Sequence, residues 1–158
     1  MPKKKNDGSA DAEEAALRLL ARREHSRAEL AAKLARRGIA ASDIDTTLDR
    51  LETEGAISEA RFVEQLVRTR LRQGYGPLRI HRDLGAKGVA PEAADAEMRF
   101  DDDEWSIRAE AARSQRFGKV VPSGQRERAR QARFLERRGY TATHIARVLS
   151  GALANGNH

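Results

Sequence analysis

The chain contains one six-residue pattern three times: Leu34-Ala35-Arg36-Arg37-Gly38-Ile39, Leu84-Gly85-Ala86-Lys87-Gly88-Val89 and Leu135-Glu136-Arg137-Arg138-Gly139-Tyr140. Each copy has a leucine first, a basic residue fourth, a glycine fifth and an apolar residue last, and the copies begin 50 and 51 residues apart. Apolar residues also recur five and nine positions after the end of each copy, as at Ile44 and Leu48. A period of this length indicates a repeated supersecondary unit.

Each unit is predicted to contain three helices, because apolar residues recur at helical spacing on both sides of the glycine. The predicted units are residues 11–57, 58–100 and 101–150, between disordered tails at 1–10 and 151–158. The chain has 27 alanines and 14 leucines, and its β-branched residues do not alternate with polar ones, so an all-α fold is expected. Units this small need neighbours, and short linkers predict an elongated, curved array of three helix-turn-helix-like repeats with a concave surface.

Local signals place several helix ends. In the first unit a helix is predicted from about Asp11 to Glu24, with Leu17 and Leu20 packing inward. Ser26 and Glu29 have the spacing of a capping box for the second helix. The acidic run 101–104 suits a helix N-terminus better than a cation site.

The third unit is predicted to continue from that N-terminus as a helix to about Phe117, a linker at 118–124, and helices at 125–138 and 142–149. The lone Trp105 is expected to be a core residue and not a stacking platform.

Composition argues against several functional classes. The 158 residues include no cysteine, so disulfides and thiolate metal sites are excluded. The histidines at 25, 81, 144 and 158 lie in separate units or in the tail, and no His-Glu-x-x-His spacing occurs, so we expect no enzyme activity, no cofactor and no metal. No stretch is long and apolar enough to span a membrane, and acidic residues follow the basic N-terminus, so a soluble, cytoplasmic protein is expected.

Basic residues are concentrated on two helix faces. The chain has 30 Lys and Arg against 24 Asp and Glu, a formal charge of +6, and residues 1–57, 58–100 and 101–158 carry 0, +2 and +4. Helical spacing defines a middle-unit arginine face, formed by Arg61, Arg68 and Arg72, and a third-unit arginine face, formed by Arg126, Arg130, Arg133 and Arg137. Clustered guanidinium groups are tolerated best beside a polyanion, although a basic helix face is often simply solvated.

The helix-turn-helix appearance also suggests a DNA-reading regulator, and charge tests that interpretation. In such proteins the helix after the turn enters the major groove. Here residues 42–54 carry five acids against Arg50 alone, a net charge of −4 that phosphates would repel. Base reading by these helices is therefore not expected. A DNA-binding regulator that acts alone, and an adaptor without a nucleic-acid partner, remain alternatives.

Three segments together resemble the RecX family, which regulates bacterial recombination. They are the opening Ala16-Leu17-Arg18-Leu19-Leu20-Ala21-Arg22-Arg23-Glu24-His25-Ser26, then Gly55-Ala56-Ile57-Ser58-Glu59-Ala60-Arg61-Phe62, and finally Gly74-Tyr75-Gly76-Pro77-Leu78-Arg79-Ile80. The resemblance covers about residues 13–150, with a weaker match in the third unit. Most motif residues are apolar or glycine, so their roles are expected to be structural.

The resemblance implies a cytoplasmic protein that binds the RecA filament on single-stranded DNA. It would restrain strand exchange, ATP hydrolysis and co-protease activity by occupying the filament groove or blocking filament extension. It would act as a monomer with no catalytic residue, and its binding to bare single- or double-stranded DNA would be weak and non-specific. The seven arginines of the two faces would supply the electrostatic contacts to the filament.

Overall fold

The computed structural model describes the backbone of residues 7–153. This part of the chain forms nine helices and no strand, which confirms the all-α class. The helices are α1 (Asp7–Arg22), α2 (Arg27–Arg36), α3 (Ala41–Thr53), α4 (Glu59–Arg72), α5 (Pro77–Ala86), α6 (Pro91–Glu97), α7 (Asp102–Phe117), α8 (Gln125–Arg138) and α9 (Ala142–Leu149).

The nine helices form three tandem repeats. Among the described residues, every extensive helix–helix contact joins two helices of the same group of three: α1–α3, α4–α6 or α7–α9. Ser58 caps α4, Pro77 opens α5, and Asp101 caps α7 at the start of the acidic run that was predicted to lie at a helix N-terminus. Asp101 and Glu104 complete a reciprocal capping box, so the first and last residues of the acidic run 101–104 serve a helix end.

The repeated glycine terminates the second helix of each repeat in the same way. Gly38, Gly88 and Gly139 have φ values of 83°, 83° and 96°, a region that L side chains rarely adopt. The residue after each glycine donates its N–H to the carbonyl of the motif leucine five positions earlier, at 3.3, 3.1 and 3.1 Å. This is the Schellman arrangement, and it folds the apolar residue back over a fully buried leucine.

The hydrophobic core is divided between the repeats. The first repeat has its own cluster, built around Leu30, Leu34, Leu48 and Leu51. The second and third repeats share one cluster, which runs from Phe62 to Leu149 and includes the buried Trp105. The last two repeats therefore pack as one hydrophobic unit, whereas the first repeat has a separate core.

Glycine allows the second and third repeats to approach closely. Gly76 N–H donates to the carbonyl of Arg138 at 2.7 Å, and Leu78 N–H donates to that of Gly139 at 2.9 Å. A β-carbon on Gly76 would lie 2.6 Å from the backbone of Gly139, so no other residue fits at Gly76 without a shift of the joint. The Tyr140 hydroxyl donates to the Gly74 carbonyl at 2.9 Å across the same joint.

The first helix differs from the prediction at both ends and on its buried face. It begins at Asp7 instead of Asp11, because Ser9 contacts α3: its hydroxyl donates to Asp43 at 3.4 Å and its carbonyl accepts from Thr47 at 3.5 Å. It ends at Arg22 instead of Glu24. Leu17 is 44% exposed, so its predicted packing role is wrong, and the α1 residues that are buried are alanines, which let the helix lie close to α3.

The predicted tails fall largely outside the described residues. Residues 1–6 and 154–158 are not described, so the prediction of disorder is untested there. Residues 7–10 belong to α1, and residues 151–153 form a turn in which Leu153 packs against the shared core. Those two short segments are therefore ordered extensions of the first and third repeats.

Candidate nucleic-acid interface

The middle-unit arginine face is exposed on α4, but carboxylates neutralise much of it. Arg61 Nε lies 2.8 Å from Glu24 Oε1, and its Nη2 donates to the Gly55 carbonyl at 2.7 Å. Arg68 pairs with Glu64 at 2.6 Å, one helical turn away. Two of the three predicted contact residues therefore already have a carboxylate partner within the protein.

Arg72 is the exception on this face. Its guanidinium donates to Thr69 Oγ1 at 3.4 Å, and no carboxylate of the described residues lies within 4.0 Å of it. It is exposed at the last position of α4, where cationic side chains are also favoured by the helix dipole. Arg72 is therefore the member of this face most available to an external anion.

The third-unit arginine face is exposed on α8, opposite the fully buried Leu135. Arg130 pairs with Glu127 at 3.2 Å and lies over the ring of Phe117, with its guanidinium carbon 5.3 Å from the ring centroid. Within the described part of the chain, no carboxylate lies within ion-pair distance of Arg126, Arg133 or Arg137. The helical spacing thus places all four guanidinium groups at the surface, and no neighbouring carboxylate of the described residues compensates the charge of three of them.

Three surface recesses meet at Arg72. The first has a volume of about 460 Å³ and lies where the first and second repeats meet. It is also lined by Arg23, Arg70 and Lys87. The second, of about 380 Å³, is lined by Arg61 and Arg68 together with their carboxylate partners. The third, the 2–3 recess, has a volume of about 370 Å³ and lies between the second and third repeats.

Sequence reasoning missed five of the basic residues around Arg72, namely Arg23, Arg70, Lys87, Arg116 and Arg138. They do not lie at helical spacing on one helix, so no amphipathic pattern unites them. The repeat did contain a signal for two of them. Lys87 and Arg138 both precede the motif glycine, and each contacts the preceding repeat, through Glu29 and the Gln73 carbonyl respectively.

A buried carboxylate joins the first repeat to the second. Glu29 is 8% exposed and accepts hydrogen bonds from Arg23 at 2.6 Å and from Lys87 at 2.9 Å. Burial opposes the charged form, but the hydrogen bonds and charges of the two cations outweigh it and lower the pKa of Glu29 to about 2. The predicted capping box is consequently incomplete: Ser26 accepts from Glu29 N–H at 3.1 Å, while the Glu29 side chain binds these cations instead.

His25 and His144 have structural partners. His144 is buried, accepts from Thr141 N–H at 3.2 Å in the α9 capping box, and lies 2.9 Å from Asp102. His25 is also buried, between the Arg23 carbonyl and Lys33, and burial lowers its pKa. Over residues 7–153 no group of three histidine or acidic side chains is placed to hold a metal ion.

None of the helices in the described range is both long and apolar enough to cross a bilayer.

Three domain models of one protein family match almost the whole helical part of the chain. They are described as RecX, first three-helix domain, at residues 12–51, second three-helix domain, at 58–98, and third three-helix domain, at 102–149. The chain belongs to the RecX family. This confirms the resemblance inferred from the motifs, including the weaker third unit.

Individual proteins agree with the RecX assignment. The regulatory protein RecX of Halorhodospira halophila is 46% identical over 139 residues, covering 88% of this chain and 86% of that one. The regulatory protein RecX of Acidithiobacillus ferrooxidans is 47% identical over 134 residues, covering 85% of each chain. The crystal structure of RecX from Lactobacillus salivarius has a TM-score of 0.77 over 93% of this chain and 97% of that one; at 20% identity it supports the fold alone.

Proposed function

We propose that this chain is a regulator that binds the RecA filament on single-stranded DNA and inhibits strand exchange, ATP hydrolysis and co-protease activity. The observation that carries the proposal is the exposed third-unit arginine face, which keeps three unpaired guanidinium groups among the described residues of a RecX-family chain. A filament of protein and DNA offers phosphates and acidic side chains to such a face. Bound there, the chain would occupy the filament groove or block filament extension.

The division of the core supports binding along a repetitive partner. Because the first repeat packs separately from the other two, the chain presents two bodies that are joined mainly by polar contacts. Two such bodies can contact successive subunits of a filament. We therefore propose that a single copy of the chain bridges neighbouring recombinase subunits, in the cytoplasm where that filament forms.

The acidic helices after the turns argue against base reading. On α3, Asp49 and Glu52 lie 2.6 and 3.4 Å from Arg27 of α2, so these carboxylates form ion pairs within the first repeat. The net charge of α3 would still oppose entry into a groove lined by phosphates. Weak, sequence-independent contact with DNA through the arginine faces is compatible with this geometry.

A DNA-binding regulator that acts alone is the second candidate, favoured by the same exposed arginines. Binding of the full chain to bare single-stranded DNA and to a RecA filament on that DNA, each across a salt series, separates the two. The proposal expects tighter binding to the filament at every salt concentration. Equal affinity for both, with the same salt dependence, would instead identify a protein that recognises DNA only.

A further inference from the structure

The 2–3 recess combines cations, amides and one aromatic ring without any carboxylate. Its lining includes Arg72 and Gln73 from the second repeat, and Gln115, Arg116, Phe134 and Arg138 from the third. Within the described part of the chain, no carboxylate lies within 4.0 Å of any of the three guanidinium groups. By contrast, Glu24 and Glu64 line the neighbouring recess with Arg61 and Arg68. The uncompensated charge of the 2–3 recess is therefore about +3, and it is suited to an anion.

Arg138 is held in place before any ligand binds. Its guanidinium carbon lies 4.9 Å from the centroid of Tyr75 and 5.1 Å from that of Phe134, and its Nη1 donates to the Gln73 carbonyl at 2.8 Å. A guanidinium has five N–H donors, so this arrangement leaves most of them unused. Because the side chain is already ordered, binding of an anion to Arg138 would cost less conformational entropy than binding to a mobile arginine.

The walls of the recess are fixed to one another. The backbone hydrogen bonds from Gly76 to Arg138 and from Leu78 to Gly139 cross the joint beside it, and the two repeats share one core. The recess therefore lies within the part of the molecule that packs as one hydrophobic unit. Its volume of about 370 Å³ has room for a phosphate group.

A series of arginine and aromatic side chains in mutual contact includes Phe134 and Arg138 of the recess. Arg130 lies over Phe117, Phe117 packs edge-to-face on Phe134 at 5.2 Å, and Arg138 lies between Phe134 and Tyr75. Arg79 also contacts Tyr75, with its guanidinium carbon 4.8 Å from the ring centroid. Basic side chains interleaved with aromatic rings are typical of surfaces that bind single-stranded nucleic acids, where phosphates contact the cations and bases contact the rings.

We propose that the 2–3 recess binds the phosphate backbone of a single-stranded nucleic acid through Arg72, Arg116 and Arg138, with the strand continuing along this series. The guanidinium fork matches phosphate oxygens in pairs, and the amides of Gln73 and Gln115 can bind the same oxygens or a base edge. The inference refines the proposed function by adding a DNA contact at the joint of two repeats to the contacts of the arginine faces.

The test uses the full chain and a fluorescent oligothymidylate across a salt series. The double variant Arg72→Ala/Arg116→Ala removes two charges and keeps Arg138, whose contacts stabilise the joint. Its matched control is Arg36→Ala/Arg37→Ala, which removes two exposed arginines of the first repeat. We expect the recess variant to bind about tenfold or more weakly at low salt and to lose about 1.4 from the salt slope, and the control to change by less than about threefold.

Several outcomes overturn the inference. It is wrong if both variants lose the same affinity, if neither changes while circular dichroism shows intact folds, or if the recess variant loses binding to polyglutamate but not to the oligonucleotide. The last result would assign the recess to an acidic protein segment. Inhibition of RecA ATP hydrolysis by the wild-type chain is measured separately. If it is absent while the recess variant still loses oligonucleotide binding, the proposed function fails and the recess assignment stands.

Discussion

Glu29 of the first repeat and Lys87 of the second are joined by a hydrogen-bonded ion pair of 2.9 Å. Arg23 binds the same carboxylate from the other side, so one buried acid lies between two cations at the joint. Lys87 is the residue before the glycine in the second copy of the repeated pattern, and Arg138, its equivalent in the third copy, contacts the second repeat. The basic position of the pattern therefore links the second repeat to the first and the third repeat to the second.

Neutralising Glu29 is expected to weaken the joint between the first two repeats. In Glu29→Gln two partly exposed cations lose their counterion, and we expect a loss of about 1–3 kcal/mol in the free energy of unfolding. Urea denaturation followed by circular dichroism measures it. Glu14→Gln is the matched control, because Glu14 pairs with Arg18 at the surface and should cost less than about 0.5 kcal/mol. Equal losses in the two variants would show that the Glu29 cluster does not stabilise the fold.

The same carboxylate predicts a dependence on acid pH. The pKa of Glu29 falls from 4.5 to about 2 on folding, so its contribution is fully present above pH 4.5 and is lost as the pH falls from 4.5 towards 2. The stability difference between wild type and Glu29→Gln should therefore shrink between pH 5 and pH 2.5. A difference that stays constant over that range would contradict the assigned ionisation.

Close approach at Gly139 is expected to make it the least replaceable of the motif glycines. A β-carbon there would collide with the backbone of Arg79, whereas one on Gly38 would meet nothing within 4 Å. Both residues have positive φ, so Gly38→Ala measures the backbone strain alone, about 1 kcal/mol. Gly139→Ala should cost about 1–3 kcal/mol more. Thermal unfolding of both variants checks this, and equal midpoints would refute the close packing of the joint.

Arg113 is expected to be the most important charged residue of the third repeat. It is fully buried, forms two hydrogen bonds to Glu110 at 2.7 and 2.9 Å, and donates to the carbonyls of Lys119 and Val120 in the linker before α8. Arg113→Met strands the Glu110 charge and should cost about 3–5 kcal/mol. The double variant Arg113→Met/Glu110→Leu should recover part of that loss in urea denaturation. A double variant that is less stable than Arg113→Met would contradict the role of charge pairing.

The repeat made most of the fold predictable. Its glycine marks the end of the second helix of each unit, and its leucine and last apolar residue mark the buried side of that helix end. The start of α7 after Asp101 followed from a local rule, because acidic residues are favoured at a helix N-terminus. Leu17 was misplaced because a helical pattern of apolar residues cannot tell which of two adjacent positions faces α3 when alanines permit the closer approach.

The candidate site was less predictable, since it depends on contacts between distant parts of the chain. The arginine faces were correctly predicted to be exposed, but the pairing of Arg61 with Glu24, 37 residues away, could not be read from helical spacing. Arg116 and Arg138 come together with Arg72 only because Gly76 and Gly139 let two repeats touch. Lys87 and Arg138 occupy the same position in two copies of the pattern, and both contact the preceding repeat.

The central claim is that the third-unit arginine face holds the chain on the RecA filament. The most direct measurement is inhibition of RecA ATP hydrolysis on single-stranded DNA by the wild type and by Arg126→Glu/Arg130→Glu/Arg133→Glu. Arg18→Glu/Arg22→Glu/Arg36→Glu, in the first repeat, is the control with the same change in net charge. We predict that the third-unit variant needs about tenfold or more protein for half-inhibition while the control stays near wild type. Equal inhibition by a folded third-unit variant, or no inhibition by the wild type, would contradict the account.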